Sequence, residues 1–193
     1  MENRERILTC ALDLFYSKGY DAVGIQEICQ AAGVAKPTMY HYFGSKYGLL
    51  ETLLREGFAD LINALEQIML NQNRVEESLY KLLSMLMDYA SANYKAYRLL
   101  MSLYYSPREN ETYQAVKPYI GQIHNRTVRI FEVASHTLGN MHGRQQQFAT
   151  GFLGLINHYI LFLGDEHSLE TGIKVSEETK RSLLHQFLHG IYS

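Results

Sequence analysis

A chain of 193 residues, 47% hydrophobic and 20% charged, has the composition of an ordinary globular protein and the length to bury a substantial core, as one large or two small domains. Its net charge of −2 excludes a global electrostatic case for nucleic-acid binding. The first fifty residues do not reverse this, because Arg4, Arg6, Lys18, Lys36 and Lys46 are balanced by Glu2, Glu5, Asp13, Asp21 and Glu27.

In chain order, Ile7, Leu8, Ala11, Leu12 and Phe15 make an apolar stripe that predicts a first helix from about Asn3 to Lys18, ended by Gly19. Ile25, Ile28, Cys29 and Ala32 then fall at i, i+3, i+4 and i+7, one face of a second helix. Gly33 follows, where a left-handed residue ends a helix without a Cβ clash, and Val34 can pin the turn to the core. A third helix opens around Pro37, which is tolerated in a first turn because its missing N–H would lack a partner there. Met39 and Phe43 share its inner face; Pro37, Thr38 and His41 point the other way, with Tyr40 and Tyr42 on the flanks. The pattern is a helix-turn-helix whose second helix has a polar and aromatic outer face.

These residues, AAGVAKPTMYHYFGSK after a helix ending in KGY and before YGLL, resemble the DNA-binding end of the TetR family of bacterial transcriptional regulators. The resemblance covers about the first fifty residues; beyond them it extends only to length and helical character. It implies that Lys36 meets a base edge, that Pro37 packs on a thymine methyl, and that Thr38, Tyr40 and Tyr42 hold backbone phosphates. Lys46 matches a phosphate ligand of the family. Gln26 stands where some members carry a base-reading arginine, and its amide can read adenine bidentately. With the outward His41, these make up the expected DNA-binding set. Two positions depart from the pattern: Gly24 replaces the usual Thr or Ser cap of the second helix, and Ala35 the Ser that often caps the third.

Ser45 is placed to cap a fourth helix whose Leu49, Leu50, Leu53 and Leu54 face inward, joining the reading head to the rest without a flexible linker. Domains are therefore expected at 1–47, for DNA binding, and 48–193, for ligand binding and dimerisation. Asn73, three residues before Glu76, reads as the cap of a helix carrying Leu79, Leu82, Leu83, Leu86 and Ala90. Tyr94, Tyr97, Met101, Tyr104 and Tyr105 stripe the next, broken by Pro107, with a loop expected from Arg108 to Thr112. Pro118 suits the first turn of a long helix bearing Ile123, Thr127 and Ile130 at three-four spacing, followed by a turn at Gly139 to Gly143. The following helix carries Phe148, Phe152, Leu155, Tyr159 and Phe162, with Gly151 and Gly154 allowing close approach. After a polar stretch from Asp165 to Val175, Ser176 caps a last helix with Glu177 and Glu178 in its first turn. No strand pattern occurs, and the class is all-α.

Chemistry-bearing motifs are scarce. His185 and His189 are spaced i, i+4, and His124, His136, His142 and His158 precede them. Yet there is no HExxH, no CxxC and no acidic cluster at ligand spacing, so no metal or other cofactor is expected. No GxSxG or phosphate-binding glycine loop is present, and no enzyme is expected. Cys10 and Cys29 read as buried thiols of a reduced compartment; a redox pair is the alternative, and would need the first two helices to bring the sulfurs together. The opening MENRERI has no apolar signal-peptide core. The longest apolar stretch, Phe152 to Leu163, is interrupted by Asn157 and His158 and is too short to span a bilayer. A cytoplasmic protein without a membrane partner is expected.

The expected protein is a homodimeric regulator, a repressor that binds an inverted-repeat DNA operator and is released by a small-molecule effector. The effector, mainly apolar or aromatic, is expected among Met85, Tyr89, Tyr97, Met101, Tyr104 and Tyr105, with His124 or Asn157 offering a hydrogen bond. The alternative for each of these residues is core packing. The dimer is expected to form from the helices at about Lys117–Leu138 and Arg144–Leu163 as a four-helix bundle, through Ile123, Thr127, Ile130, Gly151, Phe152, Gly154, Leu155, His158 and Tyr159. The rival is a constitutive DNA-binding or partner-recruiting dimer without a sensor pocket.

Overall fold

The computed structural model describes residues 2–70, 75–136, 141–166 and 174–190. Among them the regular elements are helices: α1 (Asn3–Lys18), α2 (Ile25–Ala32), α3 (Lys36–Phe43), α4 (Lys46–Leu70), α5 (Val75–Ala92), α6 (Tyr94–Tyr104), α7 (Glu111–Val133), α8 (Gln145–Glu166) and α9 (Glu177–His189). A short 3-10 turn, Ala134–His136, follows α7. The all-α class is the one expected. The chain forms two compact units, one of Met1–Ala59 with Lys95–Pro118, the other of Asp60–Tyr94 with Tyr119–Ser193. The boundary expected after residue 47 lies in the first turn of α4, inside the first unit.

In the first unit, α1 buries Ile7, Ala11 and Phe15, and Gly19 stops it at φ 82°, a backbone angle that favours glycine. α2 adds Ile28, Cys29 and Ala32 to the same small core, and α3 adds Met39 and Phe43. Leu49, Leu50, Leu54 and Phe58 of α4 are also buried, while Leu53 is half-buried. Ser45 caps α4 as expected, its hydroxyl accepting from the Gly48 N–H at 2.9 Å. Cys10 and Cys29 are free thiols, half-buried and buried.

α7 begins at Glu111, earlier than the Pro118 start expected from the sequence. Asn110 supplies the reason: its side chain accepts from the Thr112 N–H at 3.0 Å and its carbonyl from the Gln114 N–H at 3.2 Å. Pro118 therefore lies inside the helix, where its ring forgoes the backbone bond to the Gln114 carbonyl.

The second unit packs α5 against α8 and α9. α5 buries Leu79, Leu82, Leu83, Leu86 and Ala90, the stripe the sequence predicts. Its expected cap, Asn73, lies outside the described residues, as do Gly139 of the expected turn and Thr137 and Leu138 of the expected interface helix. Phe152 and Phe187 meet at 4.8 Å between centroids, and Phe131 lies near Phe148 and Phe187, joining α7, α8 and α9. Ser176 caps α9, accepting from the Thr179 N–H at 3.1 Å. Lys180, only 3% exposed, donates to Asp88 and Glu177 at 2.7 Å each, so its charge is paired within the unit.

The expected interface set divides on burial. Ile123, Thr127, Ile130 and Phe152 are buried within the subunit, Thr127 and Phe152 at 0% exposure. Their periodicity reflects an internal core, and side chains with no accessible surface leave nothing for a partner to cover. Gly151, Gly154 and His158 face outward on α8, with Leu155 and Tyr159 half-exposed. Phe162 stands 56% exposed on the same helix.

Candidate nucleic-acid interface

The candidate reading head is α2, the turn at Gly33 and α3. Gly33 adopts φ 61°, ψ 39°, and its N–H and that of Val34 close the C-terminus of α2 on the carbonyls of Gln30 and Cys29. Arg6 completes this end from α1. Its guanidinium donates to the Ala32 carbonyl and, at 3.1 Å, to that of Gly33. A cation there satisfies carbonyls that have no helical partner and lies at the negative end of the α2 dipole. Neither Gly24 nor Ala35 makes a side-chain cap bond, as their chemistry requires.

α3 turns Met39 and Phe43 inward and leaves Lys36, Pro37 and His41 exposed and Thr38 half-buried. Tyr40 and Tyr42 flank them, 46% and 43% exposed. Gln26 is exposed on α2. The His41 ring meets that of Tyr42 edge-on at 5.4 Å. At the C-terminus of α3, Gly44 takes φ 71°. Gly48 is obligatory for a different reason: a Cβ there would overlap the Phe43 carbonyl, so α4 can start this close to α3 only through glycine.

Lys46 differs from the phosphate ligand the family resemblance implies. Its ammonium donates to the carbonyls of Tyr20 and Val23, each at 3.0 Å, and lies 4.2 Å from the centroid of the Tyr20 ring. Two of its three hydrogens are thus committed to the loop between α1 and α2, which it ties to the first turn of α4. The Tyr20 hydroxyl in turn donates to Glu111 at 3.0 Å, at the start of α7. Burial, then that hydrogen bond, raises the Tyr20 phenol well above its ordinary range and keeps it protonated.

Pairing decides the electrostatics of the head. Arg4 is bound to Glu56 across α1 and α4, and this contact holds the Glu56 carboxyl below the usual carboxylate range. Lys18 pairs with Glu27. With Arg6 and Lys46 spent on backbone carbonyls, Lys36 is the one cation of the five in the first fifty residues without a partner among the described residues. No residue-counting argument from sequence could separate these roles, since each depends on acceptors that only the fold brings near.

The residues expected to line an effector pocket fall on both units. Tyr97, Met101, Tyr104 and Tyr105 belong to the first, and Met85, Tyr89, His124 and Asn157 to the second. Tyr97 and Met101 are buried, and Tyr104 stacks on Tyr113 with centroids 5.6 Å apart. Tyr105 departs from the expected stripe: it lies just past the end of α6 and is 75% exposed. Met85 and Tyr89 are half-buried. Burial, then the negative charge of Asp60, raises the Tyr89 phenol above its ordinary range. His124 shares a hydrogen bond with Thr150 at 3.2 Å, and Asn157 is half-buried on α8. A separate groove of about 590 Å³ is lined by Glu76, Glu77, Tyr80, Arg181, Leu184 and His185, between α5 and α9. No expected pocket residue lines it. Among the described residues, no three His, Cys, Asp or Glu side chains come together to hold a metal ion, and no helix is long and apolar enough to cross a membrane.

Comparison with known proteins agrees with the geometry of the head. Residues 7–53 match the family described as bacterial regulatory proteins, tetR family. Over 99 residues the chain is 29% identical to the HTH-type transcriptional activator FasR of Mycolicibacterium smegmatis, covering 51% of this chain and 45% of that protein. Over 79 residues it is 34% identical to the HTH-type transcriptional repressor BdcR of Escherichia coli, covering 41% and 40%. The chain thus spans about half the length of the curated relatives it matches. Among solved structures, the transcriptional regulator FadR from Bacillus subtilis in complex with stearoyl-CoA superimposes with a TM-score of 0.76. That match covers 97% of this chain and 98% of the other at 19% identity, a likeness of fold.

Proposed function

We propose, from the premise that this chain belongs by its reading head to the tetR family of bacterial regulatory proteins, that it is a transcriptional regulator that binds operator DNA as a dimer and leaves it when a small molecule binds. The observation that carries the reading is the outward face of α3, where Lys36, Pro37, Thr38, Tyr40, His41 and Tyr42 surround no core of their own while Met39 and Phe43 anchor the helix from behind. A short helix held in that way can enter a major groove of about 12 Å. Its side chains fit such a groove, with a lysine for base edges or phosphates, phenol hydroxyls for phosphate oxygens, and a proline ring for a thymine methyl. The function is recognition, not catalysis.

Two reading heads related by a two-fold axis demand an inverted repeat with half-sites one helical turn, or a multiple, apart. Dimerisation through the outer face of α8 fits the exposed Gly151, Gly154, His158 and Phe162, with Leu155 and Tyr159 at its edges. For the effector we propose an acyl thioester of coenzyme A as the first class to test. Its support is the stearoyl-CoA bound by a structural relative of the same fold. Release requires that the ligand prefer the conformation unable to hold DNA, and the shift is limited by that preference. Regulatory sign follows no single relative, since one is an activator and one a repressor; repression is the sign we propose.

The test selects bound duplexes from a random library and measures their retention by mobility shift against a series of acyl-CoA chain lengths. An enriched inverted repeat, released by one range of chain lengths, is expected. Enrichment without release by any acyl-CoA would favour the constitutive dimer, and no enrichment would refute the DNA-binding assignment.

A further inference from the structure

The face that α3 offers to DNA is short of positive charge, and one group on it can supply more. Lys36, at the first turn of α3, is the one cation of the head without a partner among the described residues, because Arg4, Arg6, Lys18 and Lys46 are each paired. At about 100° per residue, His41 lies directly opposite the midpoint of Met39 and Phe43, at the centre of the outward face with Pro37 and Thr38 on either side. It is exposed, and neither ring nitrogen has a hydrogen-bond partner among the described residues; its contact is the edge of Tyr42.

Among the described residues no carboxylate is paired with this imidazole. α1 and α2 make the main contacts with α3. Of the charged groups on these helices and on the first turn of α4, which starts beside Phe43, Arg4 is paired with Glu56, Glu27 with Lys18, and Lys46 with the carbonyls of Tyr20 and Val23. On α3 itself the titratable neighbours are Lys36, Tyr40 and Tyr42. A neutral imidazole brings one donor and one acceptor to a groove, whereas the imidazolium brings two donors and a unit charge. DNA carries one negative charge per roughly 1.7 Å of axis, a field that favours the charged form. Histidine is the side chain whose charge ordinarily changes between pH 5 and 8.

We propose that operator binding takes up a proton at His41, so that the affinity of this reading head for DNA falls as pH rises through neutrality. The inference rests on the DNA-reading assignment above and adds to it a residue and a linked proton. By linkage, the slope of log affinity against pH equals the number of protons taken up, with a sign that weakens binding at higher pH. Two subunits offer two His41 rings per operator. With Lys36 at the first turn of α3 as the one unpaired cation of the head among the described residues, a charge on His41 doubles the unpaired positive charge, which is why the effect is expected to be large here.

The experiment uses the full chain and a duplex that the protein itself selects from a random library at pH 6.5. Affinity is titrated at constant ionic strength from pH 6 to pH 8 for wild type, His41→Gln and His41→Arg. Wild type is expected to lose about tenfold or more across this range. His41→Gln is expected to bind with the same weak affinity throughout, and His41→Arg to bind without pH dependence. Because His41 is exposed, all three proteins are expected to unfold at the same temperature, which separates a binding effect from a folding one. A flat wild-type profile, or a slope that survives in His41→Gln, overturns the proposal while leaving the reading head intact. Failure of any duplex to enrich overturns the DNA-reading assignment itself.

Discussion

Replacing Lys46 by alanine tests whether this lysine organises the head or simply waits for a phosphate. The side chain makes two hydrogen bonds to the carbonyls of Tyr20 and Val23 at 3.0 Å and stacks 4.2 Å from the Tyr20 ring centroid. Hydrogen bonds from a charged donor contribute roughly 1.5–3 kcal/mol each and a partly exposed cation–π contact about 0.5–1 kcal/mol. The three share one ammonium and are not additive, and water can reach the carbonyls once it is gone. A loss of about 2–4 kcal/mol is therefore expected, which for a chain of this size lowers the melting temperature by roughly 5–15 °C. Circular dichroism at 222 nm during heating reads this directly. Operator titration at several salt concentrations should show weaker binding, because the loop between α1 and α2 and the start of α4 lose their common tie. A Lys46→Ala protein that melts within about 1 °C of wild type, while its salt slope shrinks by a full ion, would refute the organising role and restore the simple phosphate contact.

Lys36→Ala is expected to do the opposite, leaving the melting temperature unchanged while relaxing base preference at a cost of roughly 1–3 kcal/mol if its contact is bidentate, as a duplex-variant binding series would report. Gly48→Ala forces a Cβ into the Phe43 carbonyl, and a destabilisation of about 1–3 kcal/mol is expected in denaturant titrations. Above pH 10 the wild-type protein should lose stability steadily: the folded Tyr20 and Tyr89 phenols titrate higher than in the unfolded chain, so the unfolded state releases protons first and gains as pH rises. Tyr20→Phe should flatten that decline in melts recorded between pH 9 and 11. Gly154→Glu, on the outward face of α8, is expected to give folded monomers with weakened operator binding, and sedimentation of an intact dimer would exclude this face as the interface.

The parts of the fold legible in the sequence are those whose signals are local. Gly19 and Gly33 end α1 and α2 because each must take a positive φ, a demand that acts within one turn of chain. Ser45 and Ser176 cap α4 and α9 through a hydroxyl three residues from its donor. The start of α7 is harder to read, because Pro118 is equally at home in a first turn and, at a cost, inside a helix. The choice is made by Asn110, in what reads as a loop. Periodicity is also ambiguous at Ile123, Thr127 and Ile130. A three-four pattern says that these side chains share a face, not whether a neighbouring helix or a second subunit covers it, and here the subunit does.

The electrostatics of the head cannot be read from sequence for a deeper reason. Charge counting treats all five early cations as equivalent, and their balance with five acids suggests a neutral surface with no preference for DNA. Folding makes them unequal. Arg6 finds the carbonyls at the end of α2 and Lys46 finds those of the loop between α1 and α2, acceptors that do not come together until the helices pack. Arg4 and Lys18 find carboxylates on other helices. What remains on the outer face of α3 is Lys36, the hydroxyls of Thr38, Tyr40 and Tyr42, and the uncommitted ring of His41. A face of this composition can hold DNA with few released counterions, so its grip should depend less on salt than that of a lysine-rich reader and more on shape, hydrogen bonding and pH.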